Sequence, residues 1–151
     1  MSDLHRYQEL ELIHHHSWEM STVGHPLADL IILTQPWTVT ANSSGPRRNS
    51  HPAFQPGSSY PGLPSKAQCI AWYRDAAGWN PEPDILWGDA FSLFRTSIVM
   101  QGIAARYAVR QASGEGAYEV GQEMFPFAEM AWKLVGETRR MKVKDGGRTK
   151  L

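Results

Sequence analysis

The spacing of apolar residues between positions 84 and 138 most limits what this chain can fold into. From about Asp84 to Gln111, and again from about Ala117 to Thr138, apolar residues recur at steps of three and four. Such steps place side chains on one face of an α-helix, so the sequence predicts two long helices. Their predicted apolar faces are Trp87, Phe91, Phe94, Ile98, Gly102 and Ala105 in the first helix, and Val120, Met124, Phe127, Ala131 and Leu134 in the second.

Prolines set the expected limits of the other elements. Pro26 suits the first position of a helix, where its missing N–H would have no partner. That helix should end before Pro36, because proline disfavours helical geometry in the residue that precedes it. From Pro36 to Pro64 the chain is rich in proline, serine, glycine and asparagine, which predicts a long irregular loop. Pro126 should kink the last helix, and Gly102 indicates close packing or a bend.

A capping pattern predicts one further helix. Ser65 and Gln68 can each satisfy an end N–H of the other residue, and Gly78 suits a left-handed helix end. The chain is therefore predicted to be mainly α, with at most a short N-terminal β-hairpin. We expect three parts: a divergent N-terminal segment at 1–16, a helical lobe at 17–138 containing the loop at 36–64, and a basic tail at 139–151.

The charge and cysteine content exclude several functional classes. Fifteen basic residues balance fifteen acidic ones, which gives no reason to expect nucleic acid or an anionic membrane as a partner. Cys69 is the only cysteine, so we interpret it as a buried structural residue of a protein from a reducing compartment.

The C-terminal ending Thr149-Lys150-Leu151 is close to the signal for import into peroxisomes, although a solvated basic tail looks the same. The expected location is cytoplasmic or peroxisomal.

The segment from Ser17 to Leu30 reads S-W-E-M-S-T-V-G-H-P-L-A-D-L. It resembles motifs of the aminoglycoside phosphotransferase and choline kinase superfamily, in particular the kinase-like domains of acyl-CoA dehydrogenase family members ten and eleven. The resemblance covers residues 17 to about 136 and implies the helical C-terminal lobe of a protein-kinase-like fold. Further matching segments are Pro61–Ser65, Leu93–Arg95, Gln101–Arg106 and Gln111–Ser113.

The resemblance implies transfer of phosphate from ATP, with Mg²⁺, to a hydroxylated small molecule such as a hydroxyacyl-CoA. Such catalysis consists mainly of positioning and of neutralising charge around the phosphates. Ser17 stands where the family has a magnesium-binding aspartate, and a neutral hydroxyl is a weak magnesium ligand. Residues 1–16 match neither the family's His-Gly-Asp loop nor its nucleotide-binding lobe. We therefore expect a truncated or degenerate lobe that is inactive alone.

The resemblance also suggests roles for single residues near this motif. Glu19 matches the family's glutamate and is a candidate metal ligand. Trp18 and Asp29 are expected to support the site structurally, and Asp29 would be a buried carboxylate that needs hydrogen-bond partners. His25 replaces a family aspartate and is expected to cap the following helix less well.

Several side chains allow two interpretations. Arg95, Arg106 and Arg110 either meet an anionic substrate such as an acyl-CoA or lie on a solvated helix face. Trp87 and Phe91, together with neighbouring aromatic residues, either line a substrate pocket or form the core. The histidines at 14–16 suggest zinc, but alternation along a strand leaves at most His14 and His16 on one face, so incidental histidines are favoured.

Three functions remain open at this point. The first is an active kinase whose missing N-terminal lobe is supplied separately. The second is a non-catalytic ligand-binding or protein-interaction module. The third is a vestigial fragment without a stable function. The first implies ATP, Mg²⁺ and a small-molecule substrate. The second requires only that the pocket helices form a stable unit.

Overall fold

A computed structural model describes residues 24–43, 51–58, 60–112, 114 and 116–146, with side chains as far as Met141. Short 3₁₀ helices lie at Pro52–Phe54 and Glu82–Asp84. These ranges contain no strand, and Tyr60 and Leu63 form an isolated β-bridge. The mainly α prediction is confirmed, whereas the predicted hairpin lies outside the described residues. The α-helices in these ranges are α1 (Leu27–Asn42), α2 (Lys66–Ala77), α3 (Ile85–Ala108), α4 (Ala117–Gln122) and α5 (Met124–Gly146).

α3 is the central helix, because α1, α4 and α5 all pack against it. A smaller apolar cluster at the start of α1 contains Leu27, Leu30 and Ile31 and contacts Tyr73 and Trp79. None of the helices in the described ranges is both long and apolar enough to span a bilayer. The main core consists of Val39, Ala90, Leu93, Met100, Phe127, Met130, Ala131 and Leu134, with Val120 and Met124 packed against it.

The predicted ends of α2 are confirmed, and the last predicted helix is divided into α4 and α5. Ser65 Oγ accepts a hydrogen bond from the Gln68 N–H, and Gln68 Oε1 accepts one from the Ser65 N–H. Gly78 closes α2 in the left-handed conformation, with φ of 64°. The kink expected at Pro126 is a break between α4 and α5 at Glu123, and Pro126 lies in the first turn of α5, where its missing N–H costs little.

The prediction that the first helix ends before Pro36 is wrong. α1 continues to Asn42, so the irregular segment begins at Ser43. An internal proline costs about 3 kcal/mol or more in an isolated helix. Thr38 and Val39 lie buried beyond the proline, and we attribute the continuation to this packing, since tertiary contacts supply most of the stability of protein helices.

The predicted core face of α3 is also wrong. Trp87, Phe91, Phe94 and Ile98 are 54%, 45%, 53% and 50% exposed. Both faces of α3 carry apolar residues, so periodicity alone did not distinguish them. The buried face consists instead of Gly88, Asp89, Ala90, Ser92, Leu93, Ser97 and Met100, and most of these are small residues that let neighbouring helices approach closely.

Three smaller expectations need correction. A Cβ on Gly102 would meet only the Arg106 guanidinium, at 3.9 Å, so Gly102 does not mark close packing. Cys69 is partly rather than fully buried, and this burial raises the pKa of its thiol, in agreement with an unactivated cysteine. α5 extends past its predicted end at Thr138 into the basic tail, where Arg139 is exposed.

Candidate functional site

A cleft of about 430 Å³ opens between α1, α5, the first turn of α2 and the irregular segment that precedes α2. We call it the polar cleft, because a charged pair forms part of its wall. Its sides are apolar where Trp37 and Phe54 meet edge to face, with ring centroids 4.8 Å apart. The lining includes Trp37, Thr38, Ala41, Asn42, Phe54, Ser58, Lys66, Leu86, Asp89, Leu134 and Glu137.

Three side chains form a hydrogen-bonded network in this wall. Lys66 Nζ donates to Asp89 Oδ2 and, at 2.7 Å, to Thr38 Oγ1. Thr38 Oγ1 donates in turn to Asp89 Oδ1 at 3.0 Å. Thr38 and Asp89 are only 4% and 6% exposed, so these bonds replace the water that both side chains lose on folding.

The helices position these three residues for separate reasons. Lys66 directly follows the cap residue Ser65, so the capping box that starts α2 also fixes the position of the lysine. Asp89 lies on the buried face of α3. Thr38 lies beyond Pro36, so it reaches the network only because α1 continues through the proline.

The network is suited to binding rather than to proton transfer. Both oxygens of Asp89 already accept hydrogen bonds, and the Thr38 hydroxyl already donates. An ammonium group has three N–H donors, and Lys66 uses two of them in the network. The Lys66 side chain is 21% exposed, so its third N–H can reach a ligand in the cleft. Glu137, on α5, adds a hydrogen-bond acceptor to the lining of the cleft.

A second cavity, of about 540 Å³, lies at the start of α1 and α3 and is almost wholly apolar. We call it the apolar groove. Trp87 and Phe91 form one side of it as stacked rings, with centroids 5.5 Å apart and planes within 3° of parallel. The pocket interpretation of these two residues therefore fits better than the core interpretation. The groove is lined by His25, Leu27, Ala28, Ile31, Asp84, Trp87 and Phe91.

His25 precedes the first helix, whose cap position is Pro26 and has no side-chain cap hydrogen bond. His25 Nδ1 accepts a hydrogen bond from the Leu27 N–H at 3.2 Å. Its ring also meets Trp79 edge to face, with centroids 5.5 Å apart. Tyr73 donates its hydroxyl to the Pro26 carbonyl at 3.0 Å, which ties α2 to the same helix start.

The other predicted site residues are not brought together. Asp29 is exposed in the first turn of α1, so the expectation of a buried carboxylate is wrong, and its negative charge favours the helix N-terminus. Arg95 and Arg106 are exposed on α3 and line neither the polar cleft nor the apolar groove. Ser17, Trp18, Glu19, the histidines at 14–16 and the Thr149–Leu151 ending lie outside the described residues, and their proposed roles remain predictions.

The sequence alone did not identify Thr38, Lys66 and Asp89 as a site. Lys66 is 28 residues from Thr38 and 23 from Asp89, so no local pattern links them. One signal was present: Asp89 is the one charged residue in the stretch from Leu86 to Leu93, where Ser92 is the only other polar residue. A buried carboxylate needs hydrogen-bond partners. Asp89 finds them in Thr38 on α1 and in Lys66 at the start of α2.

The chain is similar to several vertebrate proteins of one name. It is 31% identical over 122 residues to acyl-CoA dehydrogenase family member 11 of Gallus gallus, a match that covers 78% of this chain. The Mus musculus and Homo sapiens proteins of that name are 30% and 29% identical over 129 and 126 residues. The match takes in 15% of the length of these relatives. No family model matches the chain. No solved structure matches it either.

Proposed function

We propose that this chain is the substrate-binding C-terminal lobe of a kinase-like small-molecule phosphotransferase and that it does not transfer phosphate by itself. The observation that carries the proposal is the polar cleft, whose wall holds an ion pair in which two of the three N–H groups of Lys66 are bonded to described residues and the third can meet a ligand. The kinase-like motif between Ser17 and Leu30, and the similarity to proteins named for acyl-CoA, support the same interpretation.

The ligand that suits the polar cleft is a hydroxylated molecule, and a hydroxyacyl-CoA is our candidate. Lys66 can donate to an oxygen of the ligand, and Glu137 can accept from its hydroxyl group. Trp37 and Phe54 offer apolar ring surface beside these polar groups. A cleft with a few polar groups among apolar walls is typical of small-molecule sites.

The cofactors of the family, ATP and Mg²⁺, do not fit the residues of this chain. Magnesium is usually held by one or two carboxylates, but Ser17 offers a neutral hydroxyl at the aspartate position, which leaves Glu19 as the candidate metal ligand beside it. Among the described residues no three His, Cys, Asp or Glu side chains come together to hold a metal. We therefore assign no phosphoryl-transfer step to this chain.

The alternative function, a non-catalytic protein-interaction module, is favoured by one specific observation. The outward face of α3 exposes Trp87, Phe91, Phe94 and Ile98 together. Contiguous exposed apolar surface of this kind is typical of interaction sites. A ligand-binding lobe and an interaction module are compatible, because the polar cleft does not include this face.

Calorimetric titration with a 3-hydroxyacyl-CoA tests the binding proposal. Ala41 lies in the wall of the polar cleft and is exposed, so Ala41→Phe fills the cleft without disturbing the core. Ala128→Phe makes the same change at an exposed position of α5 outside both cavities. We expect heat of binding from the unaltered chain and from Ala128→Phe, and none from Ala41→Phe. Equal heats from all three proteins, or no heat at all, would contradict the proposed site.

A parallel titration with Mg-ATP tests the proposed inactivity. We expect no heat from the unaltered chain, because the magnesium-binding carboxylate is replaced by Ser17. The Ser17→Asp variant restores that carboxylate in the same background. Absence of heat in both proteins excludes an active kinase for this chain. Heat from the unaltered chain would contradict the proposal.

A further inference from the structure

Glu137 is the charged residue of the polar cleft that pairs with no other described residue. It is partly buried on α5, three residues after Leu134, and both side chains line the cleft from the same face of that helix. Within the described part of the chain, no hydrogen bond or ion pair reaches its carboxylate. The carboxylate therefore depends on water or on a ligand for its hydrogen bonds.

Two cations lie near Glu137 on α5, but neither forms an ion pair with it. Lys133 lies four residues earlier, at a spacing that favours ion pairs on a helix. Its Nζ donates instead to Asn42 Oδ1, at 3.3 Å. Arg140 lies three residues later, and its guanidinium is beside Gly136, where a Cβ would be 3.7 Å from Nη2. The charge of Glu137 is therefore left to face the cleft.

The lining of the polar cleft consequently carries one uncompensated negative charge. Its charged residues are Lys66, Asp89 and Glu137, and the first two form an ion pair. Like charges repel more strongly where the surroundings are less polar than water. Phosphate and carboxylate groups of a ligand are therefore disfavoured beside Glu137. For a CoA thioester, this favours entry of the acyl end rather than the phosphate end.

We propose that Glu137 makes the polar cleft specific for the alcohol form of its ligand, an inference that rests on the proposed function. A carboxylate accepts hydrogen bonds but donates none, whereas the third N–H of Lys66 only donates. A hydroxyl group both donates and accepts, so it can meet either side chain. The ketone of the same ligand only accepts, so it can meet Lys66 but leaves Glu137 without a partner.

Calorimetric titration with two thioesters that differ only at C3, 3-hydroxybutyryl-CoA and 3-oxobutyryl-CoA, tests this specificity. One hydrogen bond to a charged group corresponds to roughly a 10- to 100-fold difference in affinity. We expect the unaltered chain to prefer the alcohol by about this factor. In Glu137→Gln the amide N–H groups can donate to the ketone, while the amide oxygen still accepts from the alcohol. The two dissociation constants should then become nearly equal.

Glu129→Gln is the matched control, because Glu129 is exposed on the same helix and lies outside both cavities. It should keep the preference for the alcohol, and both variants should keep the melting temperature of the unaltered chain. Equal affinities in the unaltered chain, or an unchanged preference in Glu137→Gln, would overturn the role of Glu137 while leaving the cleft as the ligand site. No heat from either thioester would overturn the proposed function together with this inference.

Discussion

The ion pair between Lys66 and Asp89 is the residue-scale feature on which the polar cleft depends. Among the described residues, Lys66→Met leaves the buried carboxylate of Asp89 with the Thr38 hydroxyl as its one hydrogen-bond partner. Breaking a fully buried pair costs about 3–5 kcal/mol, and we expect roughly 2–3 kcal/mol here because Lys66 is partly exposed. Urea unfolding measures the loss in the free energy of unfolding.

The double variant Lys66→Met/Asp89→Leu separates two effects on the free energy of unfolding: that of an unpaired buried charge and that of lost packing. An apolar replacement of both partners is often neutral or stabilising, so the double variant should regain most of the stability. If the single variant Lys66→Met is as stable as the unaltered chain, the pair is exposed to water, and this would contradict the burial that the structure shows.

Arg110 is the one non-glycine residue in the described ranges with a positive φ, 57°. It closes α3, where its N–H donates to the Tyr107 carbonyl and the Gln111 N–H donates to the Arg106 carbonyl. Glycine normally occupies this position, because a Cβ is strained there. Arg110→Gly should therefore stabilise the chain by roughly 1 kcal/mol, which a higher melting temperature would show. Arg106→Gly, inside the helix, should lower stability by about 1 kcal/mol, and the opposite order would contradict this account.

At the scale of the elements, α1 and α3 meet closely at Gly88. A Cβ at this position would lie 2.7 Å from Ile31 Cγ2 and 3.0 Å from Leu27 Cδ2. Gly88→Ala should therefore destabilise the chain by roughly 1–3 kcal/mol, although alanine is the better helix former.

Gly136 in α5 provides the matched comparison, because a Cβ there would meet, among the described residues, only the Arg140 guanidinium, at 3.7 Å. Gly136→Ala should stabilise the chain by up to about 1 kcal/mol, and thermal unfolding compares the two variants.

Some helix ends were predictable from the sequence, because they depend on local chemistry. The capping pair Ser65 and Gln68, the left-handed Gly78 and the break near Pro126 each follow from neighbouring residues. The course of α1 beyond Pro36 was not predictable, since packing of residues far away in the sequence decides it. The prediction of the buried face of α3 was wrong for the same reason. Both faces of this helix are apolar, and only its tertiary contacts show which one is covered.

The candidate site was less predictable than the fold. Trp87 and Phe91 were identified by their aromatic character and do line a cavity. The network of Thr38, Lys66 and Asp89 depends on three helices meeting, and no sequence motif contains all three residues. Arg95 and Arg106 were selected as candidate ligand-binding residues because of their charge. The structure places them on the exposed surface of α3.

At the scale of the whole molecule, α3 separates two surfaces with different roles. Its inward face supplies Asp89 to the polar cleft, and its outward face exposes Trp87, Phe91, Phe94 and Ile98. Ligand binding at the polar cleft is therefore expected not to depend on the outward face. Ala41→Phe should abolish ligand binding and leave thermal unfolding unchanged, because Ala41 is exposed. Loss of both ligand binding and thermal stability in this variant would show that the cleft wall is coupled to the core.

The central claim is that this chain binds a hydroxylated substrate but does not phosphorylate it. ³¹P NMR of the protein mixed with Mg-ATP and a 3-hydroxyacyl-CoA tests both parts in one measurement. We predict that the phosphate resonances of the CoA ligand broaden or shift while the ATP resonances keep their position and intensity. The appearance of ADP together with a new phosphomonoester signal would contradict the claim.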